Sequence, residues 1–163
     1  MPNYRRARVP GGTYFFTVRL ARPGDTALVD RIDDLRSVYA RCAAEHPFRT
    51  DAIVVLPDHL HAIWTLPPGD ADFSGRWMRI KAGFSRRVGT RPRSASKHAK
   101  GESGLWQRRF WESRVRDEAT MAAALRYVWW NPVKHGLAKR AADWPHSSIH
   151  RDIAAGRLPP DAP

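Results

Sequence analysis

The chain has 163 residues, 28 Lys and Arg against 16 Asp and Glu, a formal net charge of +12 and 42% hydrophobic residues. That is enough for one ordinary globular domain, while no apolar run approaches the ~18–20 residues of a membrane span and MPNYRRARVPGG at the N-terminus lacks the apolar core of a secretory signal. One cysteine, Cys42, excludes an internal disulfide and a cysteine-based zinc site, so the simplest compartment is a reducing cytoplasm.

Residues 13–20 (TYFFTVRL), rich in aromatic and β-branched side chains, predict a first strand. A helix follows over 25–45, where Leu28, Ile32, Leu35, Val38, Tyr39 and Cys42 recur at helical spacing and His46-Pro47 ends the run. The apolar run in 49–56 predicts a central strand buried on both faces. Pro57-Asp58 predicts a tight turn into a strand over 59–66. Its Leu60, Ala62, Trp64 and Leu66 fall on one face, with His59, His61, Ile63 and Thr65 on the other. After Pro67-Pro68-Gly69, a helix spans about 71–88 on Phe73, Trp77, Ile80, Phe84 and Val88.

Residues 90–104 carry no large apolar side chain and predict a mobile basic loop. Residues 105–116 (LWQRRFWESRVR) predict a long basic strand. A last long helix runs over about 117–130, with Asp117-Glu118 suited to its positive end and Asn131-Pro132 ending or kinking it. The domain is expected to span 1–150, with 151–163 a flexible tail. The order strand, helix, strand, strand, helix, strand is the split βαβ pattern of a ferredoxin-like (RRM-like) antiparallel α+β sheet, with helices on one face and the last helix added. The other sheet face is left to bind a partner or to receive that helix.

The charge is concentrated. Residues 76–116 hold 13 Lys and Arg against two acids, +11 of the +12, whereas residues 21–75 hold five against nine. Such a segment fits a polyanion, most often nucleic acid, and the interleaved Phe84, Trp106, Phe110 and Trp111 could stack on unpaired bases. A merely solubilising surface, with those aromatics in the core, is the alternative. The phosphate-binding candidates are Arg79, Lys81, Arg86, Arg87, Arg108, Arg109 and Arg114, with Arg5, Arg6 and Arg8 as a basic N-terminal arm able to enter a groove.

The sharpest local feature is Asp58-His59-Leu60-His61. Side chains two apart on a strand project from the same face, so the two imidazoles are candidate ligands for one divalent metal, against the alternative of two surface histidines. Two ligands leave a metal under-coordinated. On the last helix Tyr127 and Asn131, four apart, offer a phenol and an oxygen ligand beside the stripe of Met121, Ala124, Leu125 and Val128. Alternatively Tyr127 packs at a boundary and Asn131 caps the helix. A phenol is a weak nucleophile at neutral pH, and a cation at the phosphate under attack would help it.

These residues resemble the HUH endonuclease superfamily, named for two histidines around a bulky hydrophobic residue. More closely, the chain is similar to the single-tyrosine transposases associated with repetitive extragenic palindromes (REP). The resemblance rests on GGTYFFTVRL at 11–20, VVLPDHLHAIW at 54–64, LWQRRFWESRVRDE at 105–118, YVWWNPVKHGL at 127–137 and WPHSS at 144–148. It implies cleavage of single-stranded DNA beside a hairpin through a covalent 5′-phosphotyrosine, with Mg²⁺ or Mn²⁺ as cofactor. His59 and His61 match the metal-binding pair, Tyr127 the nucleophile and Asn131 the position that completes the metal shell.

Asp58 departs from the Asn frequent in the family and could tighten the site or cap the turn. Trp129-Trp130 is bulkier than usual, which leaves the helix's seating open. The subfamily resembles monomers acting in cis, although related insertion-sequence transposases dimerise and share tyrosines. The resemblance also implies action at the bacterial nucleoid. Tyr4, Tyr14 and Tyr39 are the other tyrosines. His46, His98, His135, His146 and His150 have no comparable spacing and are read as structural or as phosphate contacts. A binding module without chemistry and a hydrolytic nuclease using water are the competing functions.

Overall fold

The computed structural model describes residue 6 and residues 8–162. In β1 (Thr13–Arg19), Tyr14, Phe16 and Val18 are buried on one face and Thr13, Phe15 and Thr17 lie on the other. The expected helix at 25–45 is two helices, α1 (Ala27–Asp30) and α2 (Ile32–Glu45). They are separated at Arg31, where ψ is 37°. The Leu28 N–H donates to Pro57 O at 3.3 Å, which ties α1 to the following hairpin turn, and the helix axis restarts after it. That hairpin is β2 (Arg49–Val55) and β3 (His59–Thr65), closed by Leu56 N–H donating to His59 O at 2.8 Å.

Next come α3 (Phe73–Val88), α4 (Ala95–Ala99), β4 (Trp111–Val115), α5 (Glu118–Lys134) and α6 (Ile149–Ala154). The four strands form an antiparallel sheet in the order β2-β3-β1-β4, the ferredoxin-like topology expected of the α+β class. On one face α2 and α3 bury Leu35, Val38, Cys42, Trp77, Ile80 and Phe84 against Phe16, Leu60 and Trp64. Trp64 stacks on Trp77 with ring centroids 4.2 Å apart. Gly83 permits the close approach of the two helices, because a Cβ there would lie 3.1 Å from Val38 Cγ1.

The opposite face receives the added helix. Val128 of α5 is fully buried against Ala52, Val54 and Ile63, with Met121, Ala124, Leu125 and Trp129 packed round them. The start of α5 is a capping box. Asp117 Oδ1 accepts from Thr120 N–H at 2.7 Å, and Thr120 Oγ1 accepts from Asp117 N–H at 3.1 Å. Its end lies beyond the expected stop. The helix continues through Pro132 to Lys134, although proline removes a ladder hydrogen bond and disfavours helix at the residue before it. Burial of Asn131 and Pro132, together with His135 N–H donating to Asn131 O at 3.1 Å and Leu137 N–H to Pro132 O at 2.8 Å, holds this last turn.

Three further expectations are corrected. β2 is an edge strand rather than a central one. Its apolar run is buried on both faces because Val55 packs in the α2–α3 core and Ala52 and Val54 pack under α5, while the WPHSS segment covers the open edge: Val55 N–H donates to His146 O and Ser148 N–H to Ile53 O, each at 2.8 Å. The long strand at 105–116 pairs regularly only over Trp111–Val115, with one isolated bridge from Trp106 to Leu20. Between them Gln107 N–H still donates to Arg19 O at 3.0 Å, whereas residues 108–110 leave the ladder, and Lys81 Nζ donates to the Gln107 carbonyl at 2.7 Å. Residues 151–163 begin inside α6, which docks on β2 through Arg151 donating to Thr50 O and Asp51 O at 3.0 and 2.6 Å. Within 90–104, the short α4 and Arg91 N–H donating to Ser103 O at 2.8 Å shape the loop.

Candidate active site

His59 and His61 stand on the β3 face that α5 covers, and both are buried, at 3% and 2% exposure. Each imidazole is held by its Nδ1. Asp58 Oδ1 accepts from His59 Nδ1 at 2.6 Å, and Thr17 Oγ1, directly opposite on β1, lies 2.8 Å from His61 Nδ1. A carboxylate only accepts, so the proton of His59 sits on Nδ1 and its Nε2 keeps a lone pair. Both Nε2 atoms are buried without a hydrogen-bond partner. Asp58 therefore neither joins the imidazoles as a third ligand nor merely caps the turn. It orients His59, and its other oxygen accepts from Gly24 N–H at 3.3 Å.

Burial lowers both histidine pKa values. For His59 the Asp58 hydrogen bond works the other way and loses. For His61 burial, then the positive charges of His59, Arg19 and His135, brings the pKa to about 3. Both rings are accordingly neutral at pH 7, the state in which an imidazole binds a metal.

α5 brings Tyr127 and Asn131 to this pair. Asn131 is 1% exposed, and neither its Oδ1 nor its Nδ2 has a hydrogen-bond partner. The Tyr127 ring meets His61 edge to face at 5.1 Å and Phe15 at 5.6 Å, yet the residue is 41% exposed. Lys134 Nζ lies 5.0 Å over the Tyr127 ring. His135, read from the sequence as structural or as a phosphate contact, brings its ring to 5.1 Å from His59. The signal for it was present: it follows Asn131 by four residues and Tyr127 by eight, on one side of a helix that the Pro132 signal seemed to end.

The remaining tyrosines are placed elsewhere. Tyr14 is buried with its hydroxyl 2.6 Å from the Val9 nitrogen, and Tyr39 bonds Thr50 and Trp64, where burial pushes its pKa far up. Tyr4 lies outside the described residues. Trp129 packs inward on the β2 side and Trp130 faces solvent, which seats the bulky pair.

The two Nε2 atoms and the Asn131 amide are buried without a partner, and Asn131 stands close enough to His61 to act on its titration: the donor set fits a small cation held by His59 Nε2, His61 Nε2 and the Asn131 side-chain oxygen. The two Nδ1 partners fix the rings as an outer shell does. Among the described residues no three His, Cys, Asp or Glu side chains are placed to bind a metal, so the amide of Asn131 is what makes the set adequate.

The basic candidates divide. Arg8, Arg79, Arg86, Arg109 and Arg114 are exposed. Arg87 and Arg108 form ion pairs with Asp34 and Glu102 at 3.3 and 2.9 Å. Lys81 is drawn inward, and burial lowers its pKa to about 8. Arg6, expected in a free arm, lies 4.0 Å over the Phe110 ring and donates to Ser74 Oγ at 3.0 Å. Arg5 lies outside the described residues. Arg76, part of the basic run, is structural: it is buried against Asp70 at 2.6 Å and the carbonyls of His46, Pro47 and Asp72. No helix among the described residues is long and apolar enough to cross a membrane.

The chain thus carries a ferredoxin-like sheet with paired histidines under a tyrosine-bearing helix. No protein-family model matches the chain. It is 42% identical over 163 residues to a REP-associated tyrosine transposase of Haemophilus influenzae, covering 99% of this chain and 93% of that one. It is 42% identical over 161 residues to the REP-associated tyrosine transposase of Escherichia coli K12, covering 99% and 90%. A solved structure of a REP-associated tyrosine transposase bound to a REP hairpin matches with a TM-score of 0.88 and 42% identity, covering all of this chain and 92% of that one. The chain belongs to the family of REP-associated tyrosine transposases.

Proposed function

We propose that this protein cuts and rejoins single-stranded DNA beside a hairpin, with Tyr127 as the nucleophile and His59, His61 and Asn131 holding a divalent cation, Mg²⁺ or Mn²⁺. The observation that carries the proposal is the position of Tyr127: of the tyrosines described it alone is exposed, and its ring touches His61, whose Nε2 is turned to no protein partner. Membership of a family whose solved relative holds a REP hairpin supplies the DNA class.

In the reaction the Tyr127 phenolic oxygen bonds to phosphorus, and the bond from phosphorus to the 3′ oxygen breaks. The phenol's proton is released, and the departing oxygen ends as a 3′-hydroxyl. The products are a 5′-phosphotyrosine and a free 3′ end, so one phosphoester replaces another and the strand can be rejoined in reverse without ATP. The bound cation would polarise the phosphate and stabilise charge on the leaving oxygen. The chain's own residues prepare this. Asp58 and Thr17 fix the two rings, burial keeps them neutral, Phe15 and His61 support the Tyr127 ring, and Lys134 places a positive charge beside it. The Tyr127 ring rests on His61 of its own chain, which supports a monomer acting in cis. Arg8, Arg79, Arg86, Arg109 and Arg114 are the exposed positions offered for phosphate contacts.

Incubation with a labelled hairpin carrying single-stranded flanks and Mn²⁺, followed by a denaturing gel, tests this. The expected result is a protein–DNA adduct lost with EDTA and with Tyr127→Phe, while that variant still binds. An adduct of normal yield from Tyr127→Phe, or cleavage with no linked protein, rejects it.

A further inference from the structure

Arg19 stands at the solvent end of the histidine-bearing sheet face. It is the last residue of β1, in the row of Thr13, Phe15 and Thr17, and it lies directly opposite His59 in the β1–β3 ladder. Leu20 N–H donates to Asp58 O at 2.8 Å, so the neighbouring Arg19–His59 pair is of the close, non-hydrogen-bonded kind, with Cβ atoms about 5 Å apart. Tyr127 packs toward the other end, where its ring meets Phe15 and His61. Phe15 precedes Arg19 by four residues, roughly 13 Å along the strand. The phenol and the guanidinium therefore flank the histidine pair from opposite ends of the row.

Arg19 is exposed, and among the described residues no hydrogen bond or ion pair holds its guanidinium. Arginines elsewhere in the chain find carboxylates: Arg49 takes Asp51 at 2.7 Å, Arg76 takes Asp70 at 2.6 Å and Arg108 takes Glu102 at 2.9 Å. Asp58 is near enough to feel the charge of Arg19, yet its two oxygens accept from His59 and Gly24. The same charge reaches both imidazoles. An uncompensated guanidinium repels a divalent cation held by those rings. An anion seated between the two is attracted by both. A phosphodiester is such an anion, and its two non-bridging oxygens match the guanidinium fork. In-line attack on phosphorus sets the departing oxygen opposite the attacking one, on the side of the site where Arg19 stands.

We propose that Arg19 binds the DNA phosphate presented to Tyr127, donating two guanidinium N–H groups to its non-bridging oxygens from the His59 side. The inference rests on the reading of this site as the place where Tyr127 attacks a phosphate. It adds a substrate-binding side chain that lies outside the basic run of residues 76–116 and outside the N-terminal arm.

The test is equilibrium binding in EDTA, in a Tyr127→Phe background, to a labelled hairpin with single-stranded flanks. In a series of probes one phosphate of the flanks at a time is replaced by an uncharged methylphosphonate. On the unmodified probe Arg19→Ala is expected to weaken binding about 10- to 150-fold, the loss of a charge-assisted contact. Arg19→Lys should recover only part, since an ammonium keeps the charge and loses the fork. At one linkage the methylphosphonate should weaken binding by the protein with Arg19, and Arg19→Ala should then add no further loss. At every other linkage the two losses should add. The coupled linkage should be the one that the protein with Tyr127 cuts in Mn²⁺. Unchanged binding by Arg19→Ala, a lysine as good as arginine, losses that add at every linkage, or coupling at a linkage other than the one cut would each overturn the proposal. The binding assay contains neither metal nor the phenolic hydroxyl. Absence of a covalent adduct from the protein with Tyr127 would therefore sink the cleavage reading alone, and a single coupled linkage would still report the Arg19–phosphate contact.

Discussion

The Tyr127 phenol ring stands edge to face on the His61 imidazole, with centroids 5.1 Å apart. Phe15, 5.5 Å from His61 and 5.6 Å from Tyr127, completes a three-ring cluster joining β1, β3 and α5. The contact holds the phenol beside the histidine pair while leaving the residue 41% exposed.

Asn131 separates a ligand from a packing residue. Its two polar side-chain atoms are buried without partners, a cost of about 1–3 kcal/mol each. Asn131→Leu should therefore leave the melting temperature in EDTA unchanged or higher. It should also abolish the rise that Mn²⁺ gives the parent protein. Retention of the full Mn²⁺-dependent rise would contradict the assignment.

Asp58 acts through His59. Asp58→Ala is expected to weaken Mn²⁺ binding, measured by calorimetry, by about 10–100-fold, with less effect on DNA affinity in EDTA. Asp58→Asn should recover part of the loss, because an amide oxygen can still accept from Nδ1. Unchanged metal affinity in both variants would remove Asp58 from the account.

Acid should destabilise the fold through His61. Burial, and then the charges of His59, Arg19 and His135, lower its pKa from 6.5 to about 3. Below about pH 6.5 the unfolded chain takes up this proton while the folded one does not, so stability present at neutral pH is lost progressively down to about pH 3. Between pH 6.5 and 5 this group alone accounts for about 2 kcal/mol. Urea titrations at the two pH values should show the loss, and His61→Gln should flatten it. An equally steep loss in that variant would place the effect elsewhere.

Arg76 and Arg109 are predicted to behave oppositely. Arg76 spends its guanidinium on Asp70 and three carbonyls. Arg76→Ala should thus cost about 3–5 kcal/mol of stability and leave the salt dependence of DNA binding alone. Arg109, exposed on the segment before β4, should leave stability within about 0.5 kcal/mol and reduce the salt slope by about 1 when changed to Ala. Similar behaviour of the two variants would show that the basic run has been divided wrongly.

Much of this was legible in the residues. Period-two alternation in 59–66 put His59 and His61 on one face and Leu60 and Trp64 on the other, because strand geometry leaves no choice. The stripes of α2 and α3 were equally plain, since each buries one face against one sheet. Local sequence could not report tertiary partners. The apolar run of β2 looks the same whether a neighbouring strand or the WPHSS segment covers its edge. Pro132 reads as a helix end, yet burial and the bonds after it carry α5 one turn further and bring His135 to His59. Lys81 and Arg76 look like surface cations until their carbonyl partners, supplied by distant loops, are known. The same holds for Trp106 and Trp111, five residues apart, of which the fold buries one and exposes the other.

The most direct measurement is the identity of the residue that carries DNA after cleavage. Trapped adduct, digested with nuclease and trypsin, should yield the peptide 127–134 with a nucleotide on Tyr127 by mass spectrometry. A nucleotide on Tyr4, Tyr14 or Tyr39, or cut DNA with no linked peptide, would contradict the assignment of Tyr127.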